Sequence, residues 1–219
     1  MDDTTGTLAG STVTTEAPTG PTPEAGAPRL STRQAARRQR LLDAALSLLA
    51  GRDYERISVR EVAESAGVAL ATLYHYFPSK EHLFAEALVQ WASTLGPGVT
   101  RRPLTGSTPA EKVEEAMLRS ARAFERRPQL ARLLMRFETS DEPFAHELLT
   151  RLDAATTSVY LHLLEDLPHD EAVRVMRVLD GVFDSSLRAW SSGRASTADL
   201  HRAITDAVRL VLGGPPAAR

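Results

Sequence analysis

Five arginines stand close together near the start of the chain, within a twelve-residue stretch that contains no acid. They are Arg29, Arg33, Arg37, Arg38 and Arg40. A guanidinium group can hold phosphate oxygens through several N–H donors, so such a cluster can bind a nucleic-acid backbone. It can equally be the solvated face of a helix, which is the ordinary meaning of a charge run. The elements that follow the cluster therefore decide between these two readings.

Catalytic and metal-binding chemistry has little support in this chain. The absence of cysteine excludes disulfides, thiolate zinc sites, iron–sulfur clusters and cysteine nucleophiles. Glu142 and His146 lie one helical turn apart, as do Glu165 and His169, but a di-iron bundle needs paired Glu-x-x-His motifs. No phosphate-binding glycine loop, nucleophile elbow or His-Glu-x-x-His motif is present. We expect no catalytic residue, metal or cofactor, and keep a helical enzyme as a remote alternative.

The composition predicts a soluble, cytoplasmic protein that binds no membrane. No apolar run exceeds four residues, at 68–71, and the first residues carry no signal-like apolar stretch. The net charge is −2, and residues 31–219 hold 25 basic and 24 acidic residues. Of residues 1–30, 21 are Thr, Gly, Pro, Ala or Ser, which predicts a disordered tail, either merely solvated or able to recruit a partner.

Helices would position the arginine cluster. Apolar residues at 42, 45, 46 and 49 follow the i, i+3, i+4, i+7 spacing of a helix from about Arg33, for which Gly51 is the predicted C-terminal cap. Ser58 and Glu61 form a capping box that opens a second helix, and Gly67 ends it in a tight turn.

A third, short helix follows at about 69–76, and Ser79 caps a fourth that runs to about Ser93. Two short helices joined by a glycine turn and packed on a longer helix form a helix-turn-helix. Its second helix enters the DNA major groove, while the preceding one crosses the phosphate backbone. Residues 31–93 are therefore interpreted as a DNA-binding domain.

The stretch ISVREVAESAGVALATLYHYFPSKEHLF, residues 57–84, resembles the DNA-binding signature of the TetR family of transcriptional regulators. The shared features are Ser58, Val62-Ala63, Ala66-Gly67-Val68, Thr72-Leu73-Tyr74, Tyr76-Phe77 and Ser79-Lys80-Glu81. Many relatives carry Ser and Gly where this chain has Ala69 and Ala71. The resemblance implies phosphate contacts by Lys80 and Tyr74, and packing by Leu73 and Phe77.

Base reading is expected from Thr72, through its methyl group on a thymine, and from His75, which could also be an ordinary exposed histidine. Tyr76 is expected to pack, with its hydroxyl facing phosphate. The predicted DNA-binding residues are Arg37, Arg60, Ala69, Leu70, Thr72, Tyr74, His75, Tyr76 and Lys80.

A second helical domain is predicted over residues 108–214, after a linker at 94–107 that is rich in turn residues. Because no segment alternates like a strand, the chain is expected to be all-α with about nine helices. In the resembled family, the last two helices form a four-helix bundle across a dimer axis, which suits a palindromic operator. The predicted dimer residues are Leu179, Phe183, Leu187, Leu200, Ile204, Val208 and Val211, with burial inside one monomer as the alternative.

The remaining helices are expected to enclose a pocket for a hydrophobic effector. The candidate lining residues, each of which could also be ordinary core, are Met117, Phe124, Met135, Arg136, Phe137, Phe144 and Trp190, and Arg136 and Arg188 could meet an acidic group. A weaker resemblance, from residues 76–80 and 189–196, is to the subgroup that represses cholesterol and steroid catabolism genes in actinobacteria.

The resemblance to this subgroup implies a repressor whose effector is a steroid acid or its coenzyme A thioester. We expect the effector to release the protein from DNA by favouring a dimer whose reading helices no longer match the grooves. A regulator of drug efflux or of other lipid metabolism is the alternative. An architectural DNA binder without effector would be supported by the absence of a cavity.

Overall fold

The computed structural model describes residues 31–95 and 102–213. The predicted tail at 1–30 and residues 96–101 of the predicted linker lie outside this range. The described residues form nine α-helices and no strand, which confirms the predicted fold class. The helices are α1 (Thr32–Gly51), α2 (Val59–Ser65), α3 (Leu70–Tyr76), α4 (Lys80–Ser93), α5 (Pro109–Glu125), α6 (Pro128–Glu138), α7 (Pro143–Leu161), α8 (His169–Ser191) and α9 (Thr197–Leu212), with 3-10 turns at Tyr54–Arg56 and His162–Leu164.

Side-chain caps set the beginnings of α2 and α4 at Ser58 and Ser79, as predicted. The Ser58 hydroxyl accepts from the Glu61 amide at 3.2 Å, and the Glu61 carboxylate accepts from the Ser58 amide at 2.7 Å. The same reciprocal pair joins Thr108 and Glu111. Each box satisfies backbone N–H groups that the helix itself leaves without partners. These starts therefore depend on local sequence alone.

The turn between α2 and α3 has the geometry of a helix-turn-helix. Gly67 adopts a φ of +62°, which a residue with a side chain rarely adopts. The amide of Val68 then donates to the Ala63 carbonyl at 2.9 Å. The prediction for Gly51 is wrong in one respect, because this glycine is the last residue of α1 with no positive φ, and the chain leaves the helix through an extended Arg52.

The first four helices share a core with the helices that follow. Leu73 and Phe77 of the α3 segment are fully buried, as is Phe84 of α4. α4 packs against α1 on one side and α7 on the other. Glu86 of α4 ties these neighbours together by accepting from Arg38 of α1 at 2.6 Å and Arg151 of α7 at 2.5 Å. Burial raises the pKa of Glu86, but the two arginines outweigh it and hold the pKa below its usual range.

The rest of the described chain is a helical body in which α8 packs on α9, and α9 on α5. Within the described ranges, no helix combines the length and apolar character that crossing a bilayer requires.

Candidate DNA-binding surface and effector cavity

Helix α3 presents one face to the core and the other to solvent. Leu73 points inward and is 0% exposed, whereas Tyr74 is 48% exposed. Ala71 and His75 are also exposed, and Thr72 is partly exposed. Of the other predicted contacts on this segment, Ala69 is exposed, while Leu70 and Tyr76 pack partly against the core. The outer face of α3 is therefore free to enter a groove, and the base-reading roles stay predictions.

The predicted basic cluster is divided by internal contacts. Arg38 is engaged by Glu86, and the Nε of Arg40 donates to the carbonyl of Ala66 at 3.3 Å, at the turn that precedes α3. Arg37 is partly exposed and Arg60, in α2, is exposed, and neither makes an ion pair within the described ranges. Phosphate contacts by Arg37 and Arg60 stay predictions, whereas Arg38 and Arg40 support the fold.

Lys80 lies at the first position of α4, but its ammonium group is held by the protein. Its Nζ donates to the Tyr54 carbonyl at 2.7 Å and lies 4.1 Å from the centre of the Tyr54 ring. Burial lowers the pKa of Lys80. Because an ammonium group has three donors, the two that remain leave the predicted phosphate contact open. Lys80 thus has a structural role that sequence reasoning missed.

A charged junction joins the 54–56 turn to α6. Arg132 pairs with Asp53 at 3.0 Å, and Arg136 pairs with Glu55 at 3.4 Å. The guanidinium of Arg136 also lies 4.9 Å from the centre of the Tyr54 ring, which is an ordinary cation–π distance. Arg136 thus lies in the lining of a recess of about 330 Å³ at this junction, and an effector contact by Arg136 stays a prediction.

Tyr54 itself is fixed at the junction. Its hydroxyl donates to Glu81 at 2.9 Å, and its ring meets Phe84 edge-on at 5.2 Å. Burial and the neighbouring Glu81 carboxylate raise the pKa of Tyr54 well above its usual range, so this hydroxyl stays protonated and a donor at physiological pH.

A cavity of about 430 Å³ opens between α4, α5, α6, α7 and α8. Met117 and Phe124, both predicted, belong to its lining. Phe124 stacks edge-on against Trp91 at 4.8 Å and lies 6.3 Å from Phe183, which gives the cavity an aromatic wall. The volume lies in the range of small-molecule sites. An effector role for Met117 and Phe124 stays a prediction.

Four other predicted lining residues lie outside this cavity. Phe137 is fully buried and packs against Phe144 at 6.2 Å, and Phe144 stacks on His82 at 5.8 Å. Met135 packs partly on the core, and the Trp190 Nε1 donates to Thr197 at 3.1 Å. These apolar side chains stabilise contacts between helices. Residues of these types pack in protein interiors far more often than they bind ligands.

The polar lining of the cavity was missed by sequence reasoning, apart from Arg188. It includes Glu138, Asp153, Asp180, Asp184 and Arg188. Arg188 pairs with Glu138. Desolvation raises the pKa of Asp180 to about 7, and desolvation followed by the charge of Glu138 raises that of Asp184 to about 6. Asp180, Asp184 and Arg188 recur one turn apart on a face that also bears apolar residues, which is the signal that could have revealed them.

The raised pKa of Asp180 predicts a pH-dependent stability. Between pH 4 and 7 the Asp180 carboxyl group loses its proton in the unfolded chain but keeps it in the folded chain. The free energy of unfolding therefore falls as the pH rises. We expect Asp180→Asn to be stabilising, with an advantage that grows by about 2 kcal/mol between pH 5 and pH 8 in urea unfolding. The exposed Asp206→Asn is the control, which should show no such growth. An advantage of equal size at both pH values would contradict this assignment.

An open cleft of about 1170 Å³ adjoins the cavity and shares Trp91 and Leu95 with it. Five arginines of the described residues line this cleft: Arg102, Arg119, Arg122, Arg126 and Arg127. Arg119 pairs with Glu115 and donates to two backbone carbonyls. Arg122, Arg126 and Arg127 are exposed and make no ion pair with a carboxylate of the described residues. A largely apolar cavity with acidic groups in its wall thus adjoins a strongly positive cleft.

The predicted dimer residues are mostly core residues of one chain. Leu179, Leu187, Leu200, Ile204 and Val208 are at most 1% exposed, Phe183 lines the cavity, and Val211 is partly buried. The prediction that these five leucine, isoleucine and valine side chains meet a partner is therefore wrong. The exposed large apolar residues of α8 and α9 are instead Val178 on α8, at 53%, and Leu210 on α9, at 84%.

Three comparisons with known proteins agree with this architecture. The family profile described as "Bacterial regulatory proteins, tetR family" matches residues 41–87, and "Tetracyclin repressor-like, C-terminal domain" matches residues 106–211. The HTH-type transcriptional repressor KstR of Mycolicibacterium smegmatis is 35% identical over 82% of this chain and 89% of its own length. A TetR transcriptional regulator from Rhodococcus sp. RHA1 has a TM-score of 0.72 at 29% identity, over 84% of this chain and 100% of its own. FadR of Thermus thermophilus, solved in complex with lauroyl-CoA, shares the fold with a TM-score of 0.64 at 24% identity, over 83% of this chain and 96% of its own.

Proposed function

The chain belongs to the TetR family of DNA-binding transcriptional repressors, and we propose from this premise that a coenzyme A thioester of a bulky apolar acid releases it from a palindromic operator. The observation that carries the proposal is the largely apolar cavity of about 430 Å³, which adjoins a cleft lined by five of the described arginines. The resemblance to repressors of steroid catabolism favours a steroid acid as the acyl part. The proposal makes the chain a sensor and not an enzyme.

The charges favour a thioester over the free acid. Among the described residues that line the cavity, there are four carboxyl side chains and one arginine, Arg188, which Glu138 already engages. A free carboxylate would meet net negative charge there. The phosphates of coenzyme A would instead lie among Arg122, Arg126 and Arg127, since guanidinium groups bind phosphate oxygens through paired donors. FadR, which has this fold, accommodates lauroyl-CoA.

The operator-binding unit is proposed to be a homodimer. One helix-turn-helix covers a half-site, and a dimer places two reading helices about 34 Å apart, which is one turn of DNA. On α8, Val178, Gly181, Val182 and Ser185 recur at i, i+3, i+4 and i+7, and Val178, Gly181 and Ser185 are exposed. A glycine in the middle of a 23-residue helix costs helix stability, while it permits a second helix to approach closely. This face, together with Leu210 on α9, is the proposed dimer surface.

Helix α6 is proposed to couple the cavity to the reading domain. Leu134 and Glu138 line the cavity, and Arg132 and Arg136 hold the turn at 53–55 through the charged junction. An effector that displaces Glu138 or moves Leu134 would shift α6 and with it the attachment of the first four helices. To change operator occupancy decisively, the effector must prefer the released state by roughly 3–5 kcal/mol.

Release of DNA by defined probes tests the proposal. A duplex is first selected from a random library by the full chain, and its affinity is then measured with a steroid-acid coenzyme A thioester, the free acid, coenzyme A alone and an unrelated apolar drug. We expect at least a tenfold loss of DNA affinity with the thioester alone. Release by the drug and not by the thioester would favour regulation of drug efflux instead.

Lys80 is expected to contribute to DNA affinity without specifying sequence. Lys80→Ala should weaken binding to all duplexes by a similar factor and reduce the slope of log affinity against log salt by about one. The other lysine of the chain, Lys112→Ala on α5, is the matched control. Because Lys80 also holds the Tyr54 carbonyl, urea unfolding must show that the variant is folded. A loss confined to one duplex sequence would contradict the phosphate role.

A further inference from the structure

Helix α3 carries no side chain that can form a paired hydrogen bond with a base. Its sequence is Leu-Ala-Thr-Leu-Tyr-His-Tyr, without arginine, lysine, asparagine, glutamine or a carboxylate. The strong direct contacts in a major groove are arginine or lysine with guanine, and asparagine or glutamine with adenine. None of these contacts is available to α3. A protein that recognises DNA through this helix must obtain its sequence specificity from other interactions.

The geometry of α3 selects the side chains that face a groove. Successive residues are about 100° apart around a helix, so Ala71 and His75 lie nearly opposite the buried Leu73. Both are exposed, and they lie one turn apart on the same side. Thr72 and Tyr74 flank them. The centre of the groove-facing surface is therefore a methyl group and an imidazole, with a second methyl group on Thr72.

Three cations of the described residues near this surface, Arg40, Lys80 and Arg60, are placed for contacts other than base reading. Arg40 holds the carbonyl of Ala66 and Lys80 holds that of Tyr54. Arg60 lies in α2, the helix that crosses the phosphate backbone in a helix-turn-helix. Arginines so placed add affinity and orientation, since phosphates carry no sequence information directly.

We propose that the operator is read mainly through thymine methyl groups, which Ala71 and the methyl of Thr72 contact in the major groove, with His75 adding a single hydrogen bond. This inference rests on the proposed DNA-binding function and specifies its base chemistry. The thymine C5 methyl is the apolar feature of the major groove, and alanine and threonine methyls are suitable partners for it. Tyr74, at the edge of this face, would contact the DNA phosphate backbone.

Replacement of thymine by uracil in the selected duplex tests the proposal, since it removes the methyl and leaves base pairing intact. We expect about a fourfold loss of affinity per contacted thymine, and about fifteenfold when the same single thymine is replaced in both half-sites. In a parallel duplex, 7-deazaguanine removes the guanine N7 acceptor and should cost less than the uracil series.

A variant identifies the protein partner of the methyl. Ala71→Gly should abolish the difference between the thymine and uracil duplexes at one position of each half-site. The exposed Ala154→Gly on α7 is the control and should retain the full difference. Because both duplexes are measured with the same protein, partial unfolding of a variant changes both affinities equally and leaves their ratio intact.

The results that overturn the proposal are distinct from those that overturn DNA binding itself. If uracil at every thymine changes the affinity by less than twofold, or if 7-deazaguanine costs more than uracil, thymine methyls are not the main determinant. If Ala71→Gly and Ala154→Gly keep the same thymine-to-uracil ratio, Ala71 is not the contact. If the chain selects no duplex from the library, the proposed function fails and this inference fails with it.

Discussion

Arg122→Glu combined with Arg126→Glu is expected to lower the affinity for a steroid-acid coenzyme A thioester by at least about 100-fold. Charge-assisted hydrogen bonds contribute about 1.5–3 kcal/mol each, and the reversal adds repulsion in a cleft lined by five arginines. Both residues are exposed and make no ion pair with a carboxylate of the described residues, so the fold should tolerate the change. Isothermal titration of the thioester measures the effect, and operator affinity without effector should stay within about twofold.

The control for this pair is Arg194→Glu combined with Arg202→Glu. These arginines are exposed in the same helical body but lie outside the lining of the cleft and the cavity. The control substitutions change the net charge of the protein by the same amount. They therefore distinguish the loss of a local phosphate contact from general repulsion between the protein and the thioester. Equal losses for the two double variants would show that the cleft does not hold the phosphates, and the thioester proposal would then lose its main support.

Val178→Asp combined with Leu210→Asp is expected to convert the proposed dimer into monomers and to reduce operator affinity by about 1000-fold. Because the two subunits of a dimer are joined, binding of one half-site raises the effective concentration of the second subunit at the other half-site. This effect increases the overall DNA affinity by factors of about 100 to 10,000, and a monomer loses it. The substitution places two carboxylates in an apolar contact, where unpaired charge is strongly unfavourable. Analytical ultracentrifugation reports the oligomeric state, and a mobility-shift titration reports the affinity.

The monomer itself should stay folded, because Val178 and Leu210 are 53% and 84% exposed. Ala198→Asp, at an exposed position of the same helix pair, is the control and should remain dimeric. By contrast, Leu200→Ala would lower the free energy of unfolding by about 2–5 kcal/mol, since this residue is buried inside one chain. A Val178/Leu210 double variant that remains dimeric would place the dimer surface elsewhere.

The sequence was sufficient for the helices and for the helix-turn-helix. The Ser58–Glu61 and Thr108–Glu111 boxes, and the positive φ of Gly67, involve residues at most three positions apart. Such contacts form from neighbours in the chain, so their residue types and spacing are diagnostic. The fold class followed from the same local signals.

Only the tertiary structure determined which helices each helix face packs against. Leu179 and Leu200 lie on apolar helix faces that would suit an interface, yet both are buried inside one chain. Apolar periodicity predicts that a helix face is buried, but it does not say whether the same chain or a second copy covers that face. Likewise, Arg136 meets Glu55 across 81 positions of the chain, and Thr205 meets Glu114 across 91. The partner of a charged side chain is set by which helices pack together, which no local pattern encodes. For this reason the reading helix could be located from its sequence, whereas only the packed helices show that the carboxylates of α6, α7 and α8 share one cavity and that five described arginines share one cleft.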